Sequence, residues 1–253
     1  MIDAATLTVL VTGATSGFGD ATCRRFHAAG ARVIATGRRA DRLEALARDL
    51  GTRCHTIAMD VSDLDAVAAL PDTLPAEFRE IDVCVANAGL ALGLSPAQEA
   101  SMADWSRMID TNVTGLVATV RAVLPGMVAR DRGHVVLVGS IAGDYPYPGG
   151  NVYGATKAFV KQFALNLRAD LIGANVRVTN IEPGLAETEF SLVRFAGDTA
   201  KAAQPYAGVA SLTSEDIAET IFWSCTLPAH VNINRLQVMP TMQTFGPLAI
   251  KRT

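Results

Sequence analysis

The chain has 253 residues, 49% of them hydrophobic and 19% charged, with a formal net charge of −3. That is ample material for a large core in one or two domains, and a slightly acidic chain with no basic run interleaved with aromatics gives no electrostatic case for a nucleic-acid partner. Cys23, Cys54, Cys84 and Cys225, like His27, His55, His134 and His230, are scattered without metal-ligand or disulfide spacing, so no metal site is expected and the cysteines read as buried thiols.

The N-terminus lacks a basic segment followed by an apolar h-region, and no apolar run approaches the ~18 residues of a membrane span. With unpaired cysteines, this points to the cytoplasm and to no membrane partner. Short runs rich in Val, Ile and Leu alternate with helix-like stretches along the whole chain, the pattern of βα units feeding a parallel sheet. Strands are predicted over residues 7–12, 32–36, 55–59, 82–86, 134–138, 177–181 and 235–238. No repeat or interdomain linker interrupts them, so the expectation is one doubly wound α/β domain covering 1–253.

After the first strand comes Thr12-Gly13-Ala14-Thr15-Ser16-Gly17-Phe18-Gly19, then an amphipathic helix beginning near Asp20. Glycines there let the backbone turn tightly and approach a pyrophosphate, held by N–H groups and the positive end of the helix. The spacing is Gly-x-x-x-Gly-x-Gly rather than the general dinucleotide fingerprint.

The second strand ends in Gly37-Arg38-Arg39, where an NAD-binding chain would usually place an acid for the ribose 2′-hydroxyl. Gly37 leaves room, and the Arg38 and Arg39 guanidiniums can fork onto a 2′-phosphate, so NADP is the expected nucleotide. Asp60 and Val61 after the third strand can bracket the adenine. Asn87, Ala88 and Gly89 after the fourth can stiffen the sheet edge beside the cofactor, although either segment also reads as a simple turn.

Helical periodicity marks Asp41, Arg42, Leu43, Leu46 and Leu50, then Trp105, Met108, Ile109 and Leu116 in a long segment running toward Pro125. A strong helix is predicted over residues 151–171, and Thr213-Ser214-Glu215-Asp216 supplies a cap for a later one. The first of these two carries Tyr153 and Lys157, one helical turn apart on one face. Four residues advance a helix by about 6 Å with about 40° of rotation, so both head groups can approach one ligand. A neighbouring cation favours the phenolate, and the expectation is that Lys157 lowers the Tyr153 pKa toward working pH. Residues 185–212 are the least patterned and read as a flexible substrate-covering flap.

Taken in order and spacing, residues Thr12 to Gly19, Asn87-Ala88-Gly89, Asn112, Ser140, Tyr153, Lys157 and Pro183-Gly184 followed by Thr188 resemble the short-chain dehydrogenase/reductase family over essentially the full chain. The resemblance implies a Rossmann-type domain with a seven-stranded parallel sheet, an active site along its carboxyl edge, and a homotetramer built through the helices carrying Asn112 and Tyr153. It implies that Ser140 hydrogen-bonds the substrate oxygen and Tyr153 exchanges a proton with it while hydride passes to or from the nicotinamide. Lys157 would bind the nicotinamide ribose, Asn112 would hold a water linking Lys157 to solvent, and Thr188 would anchor the carboxamide near Pro183 and Gly184.

A narrower resemblance rests on Val33 to Arg39, Ala88 to Gly93, Gly150 to Lys157, Glu182-Pro183-Gly184, Val193-Arg194-Phe195 and Leu227 to Asn234. These are similar to NADP-dependent 3-hydroxy acid dehydrogenases, which act on serine and short 3-hydroxy acids, and to sulfoacetaldehyde reductases. Such substrates place a small anion near a carbonyl and call for a cation that the nucleotide phosphates do not consume. Arg194 is the candidate, with Tyr147 and Asn151 as supporting donors; a solvated loop charge is the alternative. Glu182 is either a structural acceptor or a partner for a substrate ammonium. The competing functions are reduction of neutral or bulkier ketones and, in another class, a non-catalytic NADP-sensing module, against which the intact set Asn112, Ser140, Tyr153 and Lys157 argues.

Overall fold

The computed structural model describes residues 1–245. Among them seven strands form one parallel sheet in the order β3-β2-β1-β4-β5-β6-β7. The strands are β1 Thr8–Thr12, β2 Arg32–Gly37, β3 Cys54–Ala58, β4 Val83–Ala86, β5 Gly133–Val138, β6 Val176–Pro183 and β7 Arg235–Val238. Every predicted strand is present, displaced at its ends by no more than two residues. The largest difference is β6, which runs on through Glu182 and Pro183 because these residues pair with Gln237 and Val238. The central strands β1, β4 and β6 are buried throughout; β1 and β4 are accordingly short runs rich in valine, while β6 also buries Arg177, Asn180 and Glu182, which are held by hydrogen bonds.

The helices are α1 Gly17–Ala28, α2 Ala40–Leu50, α3 Leu64–Thr73, α4 Met102–Ile109, α5 Leu116–Ala129, α6 Asn151–Asp170, α7 Phe190–Arg194, α8 Thr199–Ala203 and α9 Ser214–Thr226. One face of the sheet meets α3, α5 and α6 in a core including Leu10, Leu70, Leu137, Val120 and Val160. The other meets α1, α2 and α9 in a core including Val9, Phe26, Leu46, Ile181 and Ile221. A capping box closes the start of α9, where the Thr213 side chain accepts from the Asp216 N–H and Asp216 accepts from the Thr213 N–H. Strand order reverses between β1 and β4, and the crevice at their carboxyl ends is where ligands sit in open α/β sheets.

Several expectations need correction. Helix α1 starts at Gly17 rather than Asp20. The flap at 185–212 is not structureless: it contains α7 and α8 and is tied at its base by a bridge between Ala186 and Leu212. Cys54 lies on edge strand β3 and is half-buried, whereas Cys23, Cys84 and Cys225 are buried. The helical run Met102–Ala129, 28 residues with a mean hydropathy of 1.3 in its apolar window, does meet the length and composition of a membrane span. Arg107, Asp110 and Arg121 break its apolar residues into short runs in sequence. In the fold, Leu116, Val120, Val123 and Met127 pack it into the core against the sheet.

Candidate active site

A cleft of about 510 Å³ runs along the carboxyl edge of the sheet from Arg38, Arg39 and Asp60 at one end to Ser140, Tyr153 and Lys157 at the other. Between them it is lined by Gly13, Thr15, Ser16, Gly17 and Phe18, by Val61, by Asn87, Ala88 and Gly89, and by Pro183, Gly184 and Thr188. The turn after β1 depends on Gly13, which adopts φ +69° and whose missing Cβ would lie 2.9 Å from Ala88 Cα. Asn87 braces this turn, its Nδ2 donating to Thr12 O at 2.9 Å, while the Asn87 and Ala88 N–H groups donate to Thr12 Oγ1. The N-cap of α1, Ser16, makes no side-chain capping bond, leaving the first-turn N–H groups available to an anion lying in the cleft.

At the catalytic end Ser140 caps a short turn over Ile141–Gly143, its Oγ accepting from Ala142 N at 3.1 Å. The turn packs directly on α6 because Gly143 has no Cβ; one there would sit 2.8 Å from the Lys157 carbonyl. This close approach brings Ser140 and Tyr153 together on the lining of the cleft, near enough for the Ser140 hydroxyl to favour the phenolate. Burial pushes the Tyr153 pKa up to about 12, assisted by nearby Tyr147 and opposed by the Ser140 hydroxyl and by the charge of Arg194.

The expectation that Lys157 acidifies the phenol is therefore not met in the protein alone. Lys157 Nζ lies 5.9 Å from the Tyr153 ring centre and donates to Val138 O at 2.8 Å, and burial lowers its own pKa to about 8. The cation acting on the phenol is Arg194.

Asn112 is 1% exposed and sits in a π turn, Asp110–Gly115, between α4 and α5. Such turns recur at functional sites because they break the regular helical bonding pattern. Its Oδ1 accepts from Leu90 N and its Nδ2 donates to Leu90 O, both at 2.8 Å, and to Thr156 Oγ1 at 3.1 Å. The side chain thus clamps the segment after β4 to α6, beside Lys157.

Arg194, the last residue of α7, donates from Nη2 to Tyr147 Oη at 2.9 Å and from Nε to Gly93 O at 3.2 Å. Its guanidinium carbon lies 5.6 Å from the Tyr153 ring centre and 5.4 Å from that of Tyr147. Asn151 is not brought to the cleft. It donates to Ser95 O at 3.1 Å and, with Tyr147, lines a neighbouring pocket. Glu182 is resolved as structural: it is 1% exposed, accepts from Arg235 Nε at 2.9 Å and Nη2 at 2.8 Å, and takes a third bond from Asn180.

At the nucleotide end the two guanidiniums are not free. Arg38 pairs with Asp60 at 3.5 Å, and Arg39 reaches Thr15 Oγ1, Ser16 Oγ and Glu189. The space beside Gly37 is taken by the Thr15 methyl. Arg42 and Glu189 join this cluster and were not singled out from the sequence. Arg42 follows Arg39 by three residues at the start of α2, a spacing that places them together. Glu189 has no comparable local signal.

A sequence profile described as short chain dehydrogenase matches residues 7–197. This chain belongs to that family. Among curated family members, the NADP-dependent 3-hydroxy acid dehydrogenase YdfG of Salmonella typhi is 58% identical over 97% of this chain and 99% of its own length. The serine 3-dehydrogenase of Agrobacterium fabrum is 52% identical over 97% and 98%. Among solved family structures, the closed form of a serine dehydrogenase complexed with NADP⁺ superposes with a TM-score of 0.93 at 56% identity, over 97% of this chain and 99% of that one. Serine dehydrogenase from Escherichia coli superposes with a TM-score of 0.83 at 52% identity, over 94% and 99%.

Proposed function

We propose that this short chain dehydrogenase interconverts a short anionic hydroxy compound, a 3-hydroxy acid or serine, with its carbonyl form using NADP. The residues present fit that cofactor: an uncapped helix N-terminus at the middle of the cleft, guanidiniums at one end and a proton-transfer pair at the other. The names of the two curated relatives and the NADP⁺-bound relative support the same reading. When bound, NADP supplies the hydride acceptor for oxidation and, reduced, the donor for the reverse.

The chain's own residues handle the proton and the anion. Tyr153 takes the proton of the substrate hydroxyl in oxidation and returns it in reduction, while Ser140, beside the phenol on the cleft lining, orients the same oxygen. Lys157, buried and titrating near pH 8, exchanges a proton near neutrality beside the phenol. The exclusion of water by Leu90, Met108 and Phe190 around Tyr153 strengthens each of these interactions.

One observation carries the choice of an anionic substrate. The Arg194 guanidinium stands over the Tyr153 ring while its Nη1 has no protein partner among the described residues, so it can receive a carboxylate two carbons from the reacting carbinol. Steady-state NADP⁺ reduction across L-serine, short 3-hydroxy acids, a hydroxysulfonate and neutral alcohols of matched size tests this. Carboxylates are expected to exceed neutral alcohols at least tenfold in kcat/KM, the worth of one charge-assisted contact; equal turnover would refute the assignment.

The reading extends to a homotetramer. Exposed Met102, Ile109 and Val128 on the long helical run and Phe159 and Leu165 on α6 give each subunit apolar helical surface. Sedimentation velocity checks the mass.

A further inference from the structure

The flap is pinned on both sides of the cleft. On the substrate side, Gly93 N donates to Arg194 O at 3.1 Å and Arg194 Nε returns a bond to Gly93 O. On the nucleotide side, the Glu189 carboxylate accepts from Arg39 Nη1 at 2.9 Å and from Arg42 Nη1 at 2.7 and 2.8 Å. Arg39 and Arg42 are also anchored below, on the carbonyl of Thr15 in the glycine turn, both at 3.2 Å.

Between these pins the chain passes over the cleft in three consecutive residues. Thr188 lies above Gly17 of the turn, Glu189 reaches the two arginines, and Phe190 meets the Tyr153 ring at 5.6 Å between centres. A ligand lying along the glycine turn is therefore enclosed by a strap that, among the described residues, is fastened ionically by Glu189.

Resting on the NADP reading above, we infer that Glu189, with Arg39 and Arg42, forms a clasp that closes the flap over the bound dinucleotide and slows its release. Glu189 is a positioning residue in this scheme. The Arg42 bonds all leave from one nitrogen, so its Nε and Nη2 are without partners among the described residues and face no loss when the clasp forms. The charge balance suits occupation: among the described residues Arg38, Arg39 and Arg42 form ion pairs only with Asp60 and Glu189, leaving positive charge for a 2′-phosphate. Burial opposes the charged form of Glu189, but the two arginine hydrogen bonds outweigh it and hold its carboxyl below the usual range. The clasp is therefore fastened at neutral pH. Because its side chains are roughly two-fifths exposed, it is also open to screening by salt.

The test is the NADPH dissociation rate, read by stopped-flow fluorescence as excess NADP⁺ displaces bound NADPH, in the full-length protein and its Glu189→Gln and Arg42→Met variants. At low ionic strength each variant is expected to release NADPH roughly fivefold to tenfold faster, the worth of one to two partly exposed ion pairs. The double variant is expected to be no faster than Glu189→Gln alone, because Arg39 holds the flap only through the Glu189 carboxylate, and molar salt to bring wild type up to the variants. Limited proteolysis of the NADPH complexes is expected to cut within residues 185–212 faster in both variants. Unchanged release in Glu189→Gln overturns the clasp, as does slower release, which would make Glu189 a competitor of the phosphate. Additive effects of the two substitutions overturn it as well. If wild type shows no saturable NADPH binding, it is the NADP reading that fails.

Discussion

Replacing Arg194 with methionine removes a charge 5.6 Å from the Tyr153 ring while keeping most of the side chain's stem. The flap stays attached, because Gly93 N donates to the Arg194 backbone carbonyl and that bond survives the substitution. What is lost is the guanidinium's hydrogen bonds to Tyr147 and Gly93 and its reach toward a substrate carboxylate. A hydrogen bond to a charged group contributes about 1.5–3 kcal/mol, and the half-buried position of Arg194 favours the lower figure, so kcat/KM for serine and 3-hydroxy acids is expected to fall roughly tenfold to thirtyfold. Neutral alcohols lose only the small effect of Arg194 on the Tyr153 pKa and are expected to change by less than about threefold. Initial rates of NADPH formation over a matched pair of acid and neutral substrates measure both. An equal loss on the two substrates would refute the anion role and leave Arg194 as a flap anchor only.

The remaining predictions concern pH and stability. With Tyr153 pushed up to about 12, oxidation, which needs the phenol to accept a proton, is expected to gain rate with rising pH across the neutral range, whereas reduction holds level; Ser140→Ala, which removes a hydroxyl lowering that pKa, is expected to move the oxidation limb further to high pH. A pH-rate profile in both directions checks this, and an unmoved limb contradicts it. Asn112→Ala leaves the buried Leu90 N–H and C=O without their partner and is expected to cost about 2–4 kcal/mol in urea unfolding. Thr213→Ala removes one half of the α9 capping box and is expected to cost only about 1 kcal/mol by the same assay, without altering NADPH affinity.

The strands were legible because βα alternation leaves short runs rich in β-branched residues between helical stretches, whereas their order β3-β2-β1-β4-β5-β6-β7 is set by long-range pairings and is read from the fold. Tyr153 and Lys157 were legible as a pair because a four-residue spacing puts them on one helical face, whereas Ser140 and Asn112 came only through the resemblance to the family. The electrostatics around the pair were not legible. Spacing placed Lys157 near Tyr153, but only the fold shows Lys157 turned onto Val138 O and Arg194 supplying the nearby charge. Glu189 and Arg42 were missed for the same reason: they are 147 residues apart in sequence and meet only when the flap folds back over the cleft. The π turn at Asn112 left no mark in the helical periodicity around it, since the buried Met108, Asn112, Leu116 and Val120 keep a four-residue spacing straight through it.

The central claim is that the Tyr153 hydroxyl carries the proton while hydride moves at a bound NADP. Single-turnover NADPH formation from L-serine in Tyr153→Phe, alongside NADPH titration of the same variant, tests it directly. The single-turnover rate is expected to fall by at least about a hundredfold, the lower range for general acid–base groups, with NADPH affinity within about threefold of wild type. A variant that binds NADPH and still turns over at the wild-type rate would contradict it.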